Sequence, residues 1–167
     1  MHPPDAAAAI LRVMVGITLF AHGWNHFFGG GKIAGTARWF ESIGIRPGKV
    51  HAWIASTTEI GAGVLLVLGL FTPLAAAGGV GTMTVALVAN HLRNGFFIFR
   101  KGEGYEYVLN LAMVSVAIGI LGGGWLSLDH AVGIDWNGWA GFATAAGAGG
   151  GGAALLLATC WRPNRQA

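Results

Sequence analysis

Five stretches of the chain stay apolar for about 20 residues, the length a helix needs to cross the hydrocarbon core of a bilayer. They cover residues 6–28, 50–71, 74–92, 107–126 and 138–161. The pattern predicts an all-α, polytopic transmembrane helical bundle. A shorter segment, IAGTARWFESIGIR at 33–46, spaces Ile33, Ala37, Phe40 and Ile43 at helical intervals, with Arg38, Glu41 and Ser42 on another side. Gly44 and Pro47 end it, as a C-terminal glycine and a following proline should. At this length it predicts a helix lying in the interface. The run FFIF at 96–99, followed by Arg100 and Lys101, reads the same way, and Trp125, Trp136 and Trp139 suit an aromatic belt on the opposite side. The opening MHPPDAAAAILRVMVG lacks a positive region ahead of its apolar stretch, so the first span reads as retained rather than cleaved.

Composition supports a membrane protein. Of 167 residues, 54% are hydrophobic and 10% charged, against about 25% charged in soluble domains. The 29 glycines lack the every-third spacing of collagen, and the apolar content excludes disorder. Ten Lys and Arg with a net charge of +3 form no basic stripe, which argues against nucleic acid. The one cysteine, Cys160, excludes an intrachain disulfide or a CxxC redox pair. Lys32, Arg38, Arg46, Lys49, Arg93, Arg100, Lys101, Arg162 and Arg165 fall on one side of the predicted spans, and Arg12 alone on the other. By the positive-inside rule this predicts a plasma-membrane protein with its N-terminus outside and its C-terminus cytoplasmic. The fifth span is almost all small over AGFATAAGAGGGGAA, 140–154. Such a helix lets a neighbour approach closely, within the bundle or from a partner or second copy.

Ionisable groups inside a span are costly and default to function. Glu59 is the acid inside the second span. Its readings are a protonated carboxyl hydrogen-bonded between helices, a proton relay or a ligand contact. His22 and His26 lie at i and i+4 on one helix face. With His91 they could offer three nitrogens, but without a following acid the spacing reads as hydrogen bonding near the headgroups, and no metal site is assigned. Asn90 and His91 end the third span, and Tyr105 and Glu106 precede the fourth. The topology brings His22, His26, Glu59, Asn90, His91, Tyr105 and Glu106 to one half of the membrane as a candidate ligand pocket. The other half offers Arg12, Thr72, Ser127 and Asp129. GEGYEY at 102–107 has no Lys-Ser/Thr after it and resembles no phosphate loop.

AHGWNHFFGG at 21–30, GTARWFESIGI at 35–45, TEIGAGVLLVLGLFTPLAA at 58–76, GYEYVLNLA at 104–112 and LSLD at 126–129 resemble, in order, the DoxX family. These are small bacterial and archaeal integral membrane proteins with a four-helix core. The resemblance covers roughly residues 8–133. It implies a DoxX-like four-helix domain over 1–135, with an additional transmembrane helix and short basic tail over 136–167. The family pattern falls on His22, Gly23, Glu59, Gly63, Gly69, Thr72, Tyr105 and Glu106. Many relatives carry a lysine a few residues after the HG pair, where this chain has Asn25 and His26, and the chain continues past the usual four helices into a fifth span that the resemblance does not reach.

The family takes its name from a subunit of a thiosulfate:quinone oxidoreductase. That implies a quinone-linked redox component or a membrane subunit of an oxidoreductase complex. In that reading Glu59 and His22 handle protons, His22 or His91 holds a quinone carbonyl, and electrons come from a partner subunit, because the chain has no flavin, haem or nicotinamide motif. The alternative is a non-catalytic anchor or scaffold that docks a partner, or a second copy, through the fifth helix. Five spans without an inverted repeat argue against a permease.

Overall fold

The computed structural model describes residues 2–163, so Arg165 and Gln166 lie outside the described residues. The described residues are predominantly helical. Helix α1 is Pro3–Phe28, α2 is Lys32–Ser42, α3 is Gly48–Leu68 and α4 is Thr72–Ala86. Helix α4 continues through a π turn at Leu87–His91 and a 3-10 turn at Leu92–Asn94. Helix α5 is Glu106–Leu121, α6 is the short Leu128–Ala131, and α7 is Gly138–Phe142. A π stretch, Ala143–Ala148, joins α7 to α8, Gly149–Cys160, in one continuous rod.

Four of these helices are long and apolar enough to cross a membrane: Pro3–Phe28, Gly48–Leu68, Thr72–Asn94 and Gly138–Cys160. The fourth predicted span is shorter than expected. It ends at Leu121 because Gly122 and Gly124 adopt positive φ, +67° and +68°, and break the helix. Its 16 residues span about 24 Å. Helix α5 packs against α4, α1 and α7, and non-helical backbone is tolerated at membrane depth where protein surrounds it.

Helices α1, α3, α4 and α5 form a ring, each packed on the next, and α1 closes back on α5. The α1–α3 crossing is tight. A Cβ on Gly16 would lie 2.8 Å from the Gly63 carbonyl oxygen, and one on Gly23 would meet the Ser56 carbonyl oxygen at 2.8 Å. In a bilayer lipid solvates apolar surface as well as a neighbouring helix does, so such close packing carries the association. Val15, Leu19, Leu66, Ala76, Met83 and Ile118 fill the space inside the ring.

Two elements lie outside the ring. Helix α2 packs on α3 through Ala37 and Phe40, flanked by Ile33 and Ile43, the four positions its spacing marked. Helix α8 lies along the outer side of α4. Small residues of the α7–α8 rod, Ala145 in its π stretch and Gly149 and Ala153 in α8, turn inward, and a Cβ on Gly149 would lie 2.6 Å from the Ala77 carbonyl oxygen. Intramolecular packing therefore uses one face of the small-residue helix. The chain past Cys160 is tied to the α2–α3 turn: Arg46 N–H donates to Cys160 O at 2.9 Å, Arg162 N–H to Gly44 O at 2.8 Å, and Trp161 Nε1–H to Ile43 O at 3.0 Å.

Candidate functional site

A cavity of about 640 Å³ opens between α1, α2, α3, α4, α5 and α8. His22 and His26 enter it from α1, His51 and Glu59 from α3, Asn90 and His91 from the end of α4, and Tyr107 from α5. Glu59 is buried, and its Oε2 lies 3.2 Å from His26 Nδ1. The two are close enough to pair as ions when the imidazole is protonated, but they are not aligned as a hydrogen bond. Among the described residues, the buried side-chain atoms without a hydrogen-bond partner are His26 Nδ1, Glu59 Oε2 and His51 Nδ1. All three belong to residues lining this cavity. Buried polar groups are nearly always satisfied, and the exceptions mark strain, function or a missing ligand or water.

The π turn at Leu87–His91 shapes the next wall. An extra residue in a helical turn re-aims side chains, and such turns recur at functional sites. Here Asn90 and His91 both face the cavity. His91 Nδ1 lies 2.8 Å from the Glu103 carbonyl oxygen, which can only accept, so Nδ1 carries the proton. His91 Nε2 then accepts from Asn90 Nδ2 at 3.2 Å. Both ring nitrogens are engaged, and His91 fastens the 95–105 loop over the cavity. Asn94 Nδ2 helps by donating to Asn90 O at 3.1 Å and to the Gly102 carbonyl. Across the cavity, Tyr107 Oη and His22 Nε2 lie 3.1 Å apart, with the two rings stacked at 5.9 Å.

The structure brings five of the seven expected residues together: His22, His26, Glu59, Asn90 and His91. Tyr105 and Glu106 are not among the lining residues. Tyr105 caps α5 and packs edge-on against Phe96 at 5.5 Å. Glu106 Oε2 accepts from Ile98 N–H at 3.3 Å, which closes the loop onto the helix start. Tyr107 and the buried His51 line the cavity instead. His51 precedes Glu59 in the same span, so its placement in an apolar helix was the available signal. Among the described residues, no three His, Cys, Asp or Glu side chains converge to hold a metal ion.

The polar residues at the other end of the bundle behave differently. Arg12 is 3% exposed. It donates to Leu66 O at 2.9 Å, Val67 O at 2.6 Å, Gly123 O at 3.2 Å and the Leu126 carbonyl. Asp129 accepts from Phe71 N–H at 2.7 Å, Thr72 N–H at 2.9 Å and Thr72 Oγ1–H at 2.7 Å. Arg12 thus satisfies carbonyls at the end of α3, and Asp129 satisfies amides at the start of α4, as helix ends require. Phe71 sits at φ +47°, an unfavourable region for a side chain. The Asp129 bond holds it there, and Gly69 at φ +66° lets the α3–α4 turn form.

The DoxX family model matches residues 7–92, which hold α1 through α3, α4 and its π turn. This chain belongs to the DoxX family. The chain is 30% identical over 125 residues to a Bacillus subtilis (strain 168) protein named "Putative oxidoreductase CatD", an alignment covering 75% of this chain and 86% of that one. No solved structure matches. The family match ends before α5 and α8, so Tyr107 and the α8 wall lie beyond it.

Proposed function

We propose that this DoxX protein is a quinone-linked component of a membrane redox system. In this reading the cavity binds the quinone head group, and Glu59 with His26 delivers its protons. One observation carries it: the three buried polar atoms without a hydrogen-bond partner, on His26, His51 and Glu59, all belong to the lining of one cavity. A quinone has two carbonyl acceptors that become hydroxyl donors on reduction. His51, when its Nδ1 carries the proton, donates to one carbonyl, and the Tyr107–His22 pair supplies a donor at the other. Protonated Glu59 passes a proton to a quinone oxygen and is refilled from His26, towards the mouth of the cavity. Two such transfers, with two electrons from a partner subunit bearing a flavin or metal centre, convert quinone to hydroquinone. The name of the Bacillus relative agrees with an oxidoreductase role.

The test is purification in mild detergent, followed by organic extraction and an absorbance spectrum. Bound quinone released from wild type is the expected result. Wild-type protein that neither retains nor rebinds quinone sinks the reading. A non-catalytic anchor for a partner is the second reading. It is favoured by the outer face of the α7–α8 rod, where Gly147, Gly150 and Gly151 have open space around them.

The orientation proposed is N-terminus outside, with the cavity end facing the cytoplasm of the plasma membrane. Lys32, Arg38, Arg46, Lys49, Arg93, Arg100, Lys101 and Arg162 border that end, in or beside the helix termini that frame the cavity. In a Cys160→Ala background, a cysteine at Lys32 should resist a membrane-impermeant maleimide in intact cells, and one at Asp135 should label. The reverse pattern would invert the orientation and place the cavity outside.

A further inference from the structure

Helices α3 and α8 both pack on α4 but have at most marginal contact with each other. Two glycine approaches set this arrangement. A Cβ on Gly78 of α4 would lie 2.9 Å from the Ala62 Cβ of α3, and one on Gly81 would lie 3.3 Å from the Gly149 carbonyl oxygen at the start of α8. Helix α4 is thus held close on both flanks, and a trough remains over it between α3 and α8. Ala55 and Thr58 form one bank, Gly81 and Val85 the floor, and Gly152 and Leu156 the other bank. Each is partly or fully exposed. The same residues line the cavity that reaches Glu59, His26 and His51. The trough and the polar site are one continuous space.

Its depth decides what enters. Thr58, Gly81 and Gly152 lie about halfway along helices that are long enough to cross a bilayer. An opening there faces acyl chains rather than water. A ligand using it arrives dissolved in the membrane. The polar end of the cavity holds buried atoms without a hydrogen-bond partner, whereas the trough is walled mainly by carbon. A volume of about 640 Å³ is within the few-hundred to 1,000 Å³ range of small-molecule sites, and it exceeds what a single ring fills.

We infer that the site takes a membrane-borne ligand with a long apolar tail. The polar head lies at Glu59, His26 and His51, and the tail leaves through the trough between α3 and α8. The glycine at 152 keeps that passage open. This inference rests on the quinone reading for the identity of the head. It adds that the fifth transmembrane rod, outside the family match, selects tailed over tail-less ligands.

Gly152 offers a direct test, because a Cβ there meets nothing within 4 Å, so a larger side chain fills the trough without displacing backbone. Gly151 has equally open surroundings but is not among the cavity residues, which makes it the control. Wild type, Gly152→Phe and Gly151→Phe would be reconstituted in lipid nanodiscs. Each would be titrated with a dimethoxy-methyl-benzoquinone carrying a decyl tail, and with the same ring without the tail. Quenching of tryptophan fluorescence reads binding, since Trp39 lines the cavity. Thermal unfolding confirms that all three are folded. Wild type should bind the tailed quinone at least tenfold more tightly than the tail-less ring. Gly152→Phe should erase that difference while keeping the ring's own affinity, and Gly151→Phe should behave as wild type. Equal affinity for both quinones, or a Gly152→Phe variant with full preference for the tail, overturns the trough and leaves the quinone reading standing. No binding of either quinone by wild type overturns both.

Discussion

The two ends of the bundle contain similar residue types in opposite states. At the α3–α4 turn, Arg12 and Asp129 are both buried at 3% exposure and are hydrogen-bonded to main-chain groups up to 114 residues away. At the cavity end, Glu59 and His51 are nearly as buried, at 6% and 7%, yet each keeps an atom without a hydrogen-bond partner, Glu59 Oε2 facing His26 Nδ1 at 3.2 Å. Burial of a charged group is expensive unless it is paired. The first end meets that cost internally and is a structural lock. The second meets it only in part, through the approach of His26 to Glu59 at 3.2 Å, and is the site proposed for a ligand. Burial alone does not separate the two ends; their hydrogen bonds do.

The contrast predicts opposite responses to substitution. The largest effect is expected at Arg12. Arg12→Leu strands the Leu66, Val67, Gly123 and Leu126 carbonyls in an apolar setting, at about 1–3 kcal/mol each, a large share of the roughly 5–15 kcal/mol that stabilises a typical fold. Size-exclusion chromatography in detergent should show loss of the monodisperse protein. Recovery of Arg12→Leu at wild-type yield and melting temperature would refute the lock. Arg12→Lys should rescue only in part, because an ammonium cannot present the planar fork that reaches four carbonyls.

Next comes Glu59. Glu59→Gln should fold normally while quinone-linked turnover falls by about 10²–10⁴-fold, since an amide cannot titrate. Full activity in this variant would reduce Glu59 to helix packing and favour the anchor reading. Glu59→Leu should melt within a few degrees of wild type, opposite to the collapse expected of Arg12→Leu, because it removes a buried carboxyl whose Oε2 makes no hydrogen bond.

Asp129→Asn is a smaller change at the closed end. One carbonyl oxygen replaces two carboxylate oxygens, so one of the bonds to Phe71 N–H and the Thr72 pair is lost, at a cost of about 1–2 kcal/mol. Thermal unfolding should show it, with quinone binding unaltered. Smallest of all is His51→Leu. It removes an unpartnered ring nitrogen, so stability should hold or rise slightly, as is common when a site residue is replaced. Its consequence should instead appear as weaker quinone binding. A His51→Leu protein that unfolds early would mean that His51 belongs with Arg12 rather than with Glu59.

Much of this molecule is legible in its residues. The apolar runs mark where helices form, the spacing of Ile33, Ala37, Phe40 and Ile43 gives the buried face of α2, and five of seven expected residues meet in the cavity. Those features are local. Length, periodicity and the order of spans act within one segment or follow from simple alternation across the bilayer. The failures have a common cause. Tyr105 and Tyr107 are two positions apart and equally plausible by composition, but rotation about α5 turns Tyr105 onto Phe96 and Tyr107 onto His22.

In water, an amphipathic stripe would have shown which side of a helix faces inward. In lipid, both the core side and the outer side are apolar, and that signal vanishes. The sequence by itself therefore determined that the chain spans a membrane and where its polar residues cluster along the span. Which polar atoms are satisfied, that His51 joins Glu59, that α8 walls the cavity and that α5 stops short were decided only in three dimensions. They depend on close approaches between segments far apart in the chain, such as Gly16 to Gly63, Gly149 to Ala77 and Arg12 to Leu126.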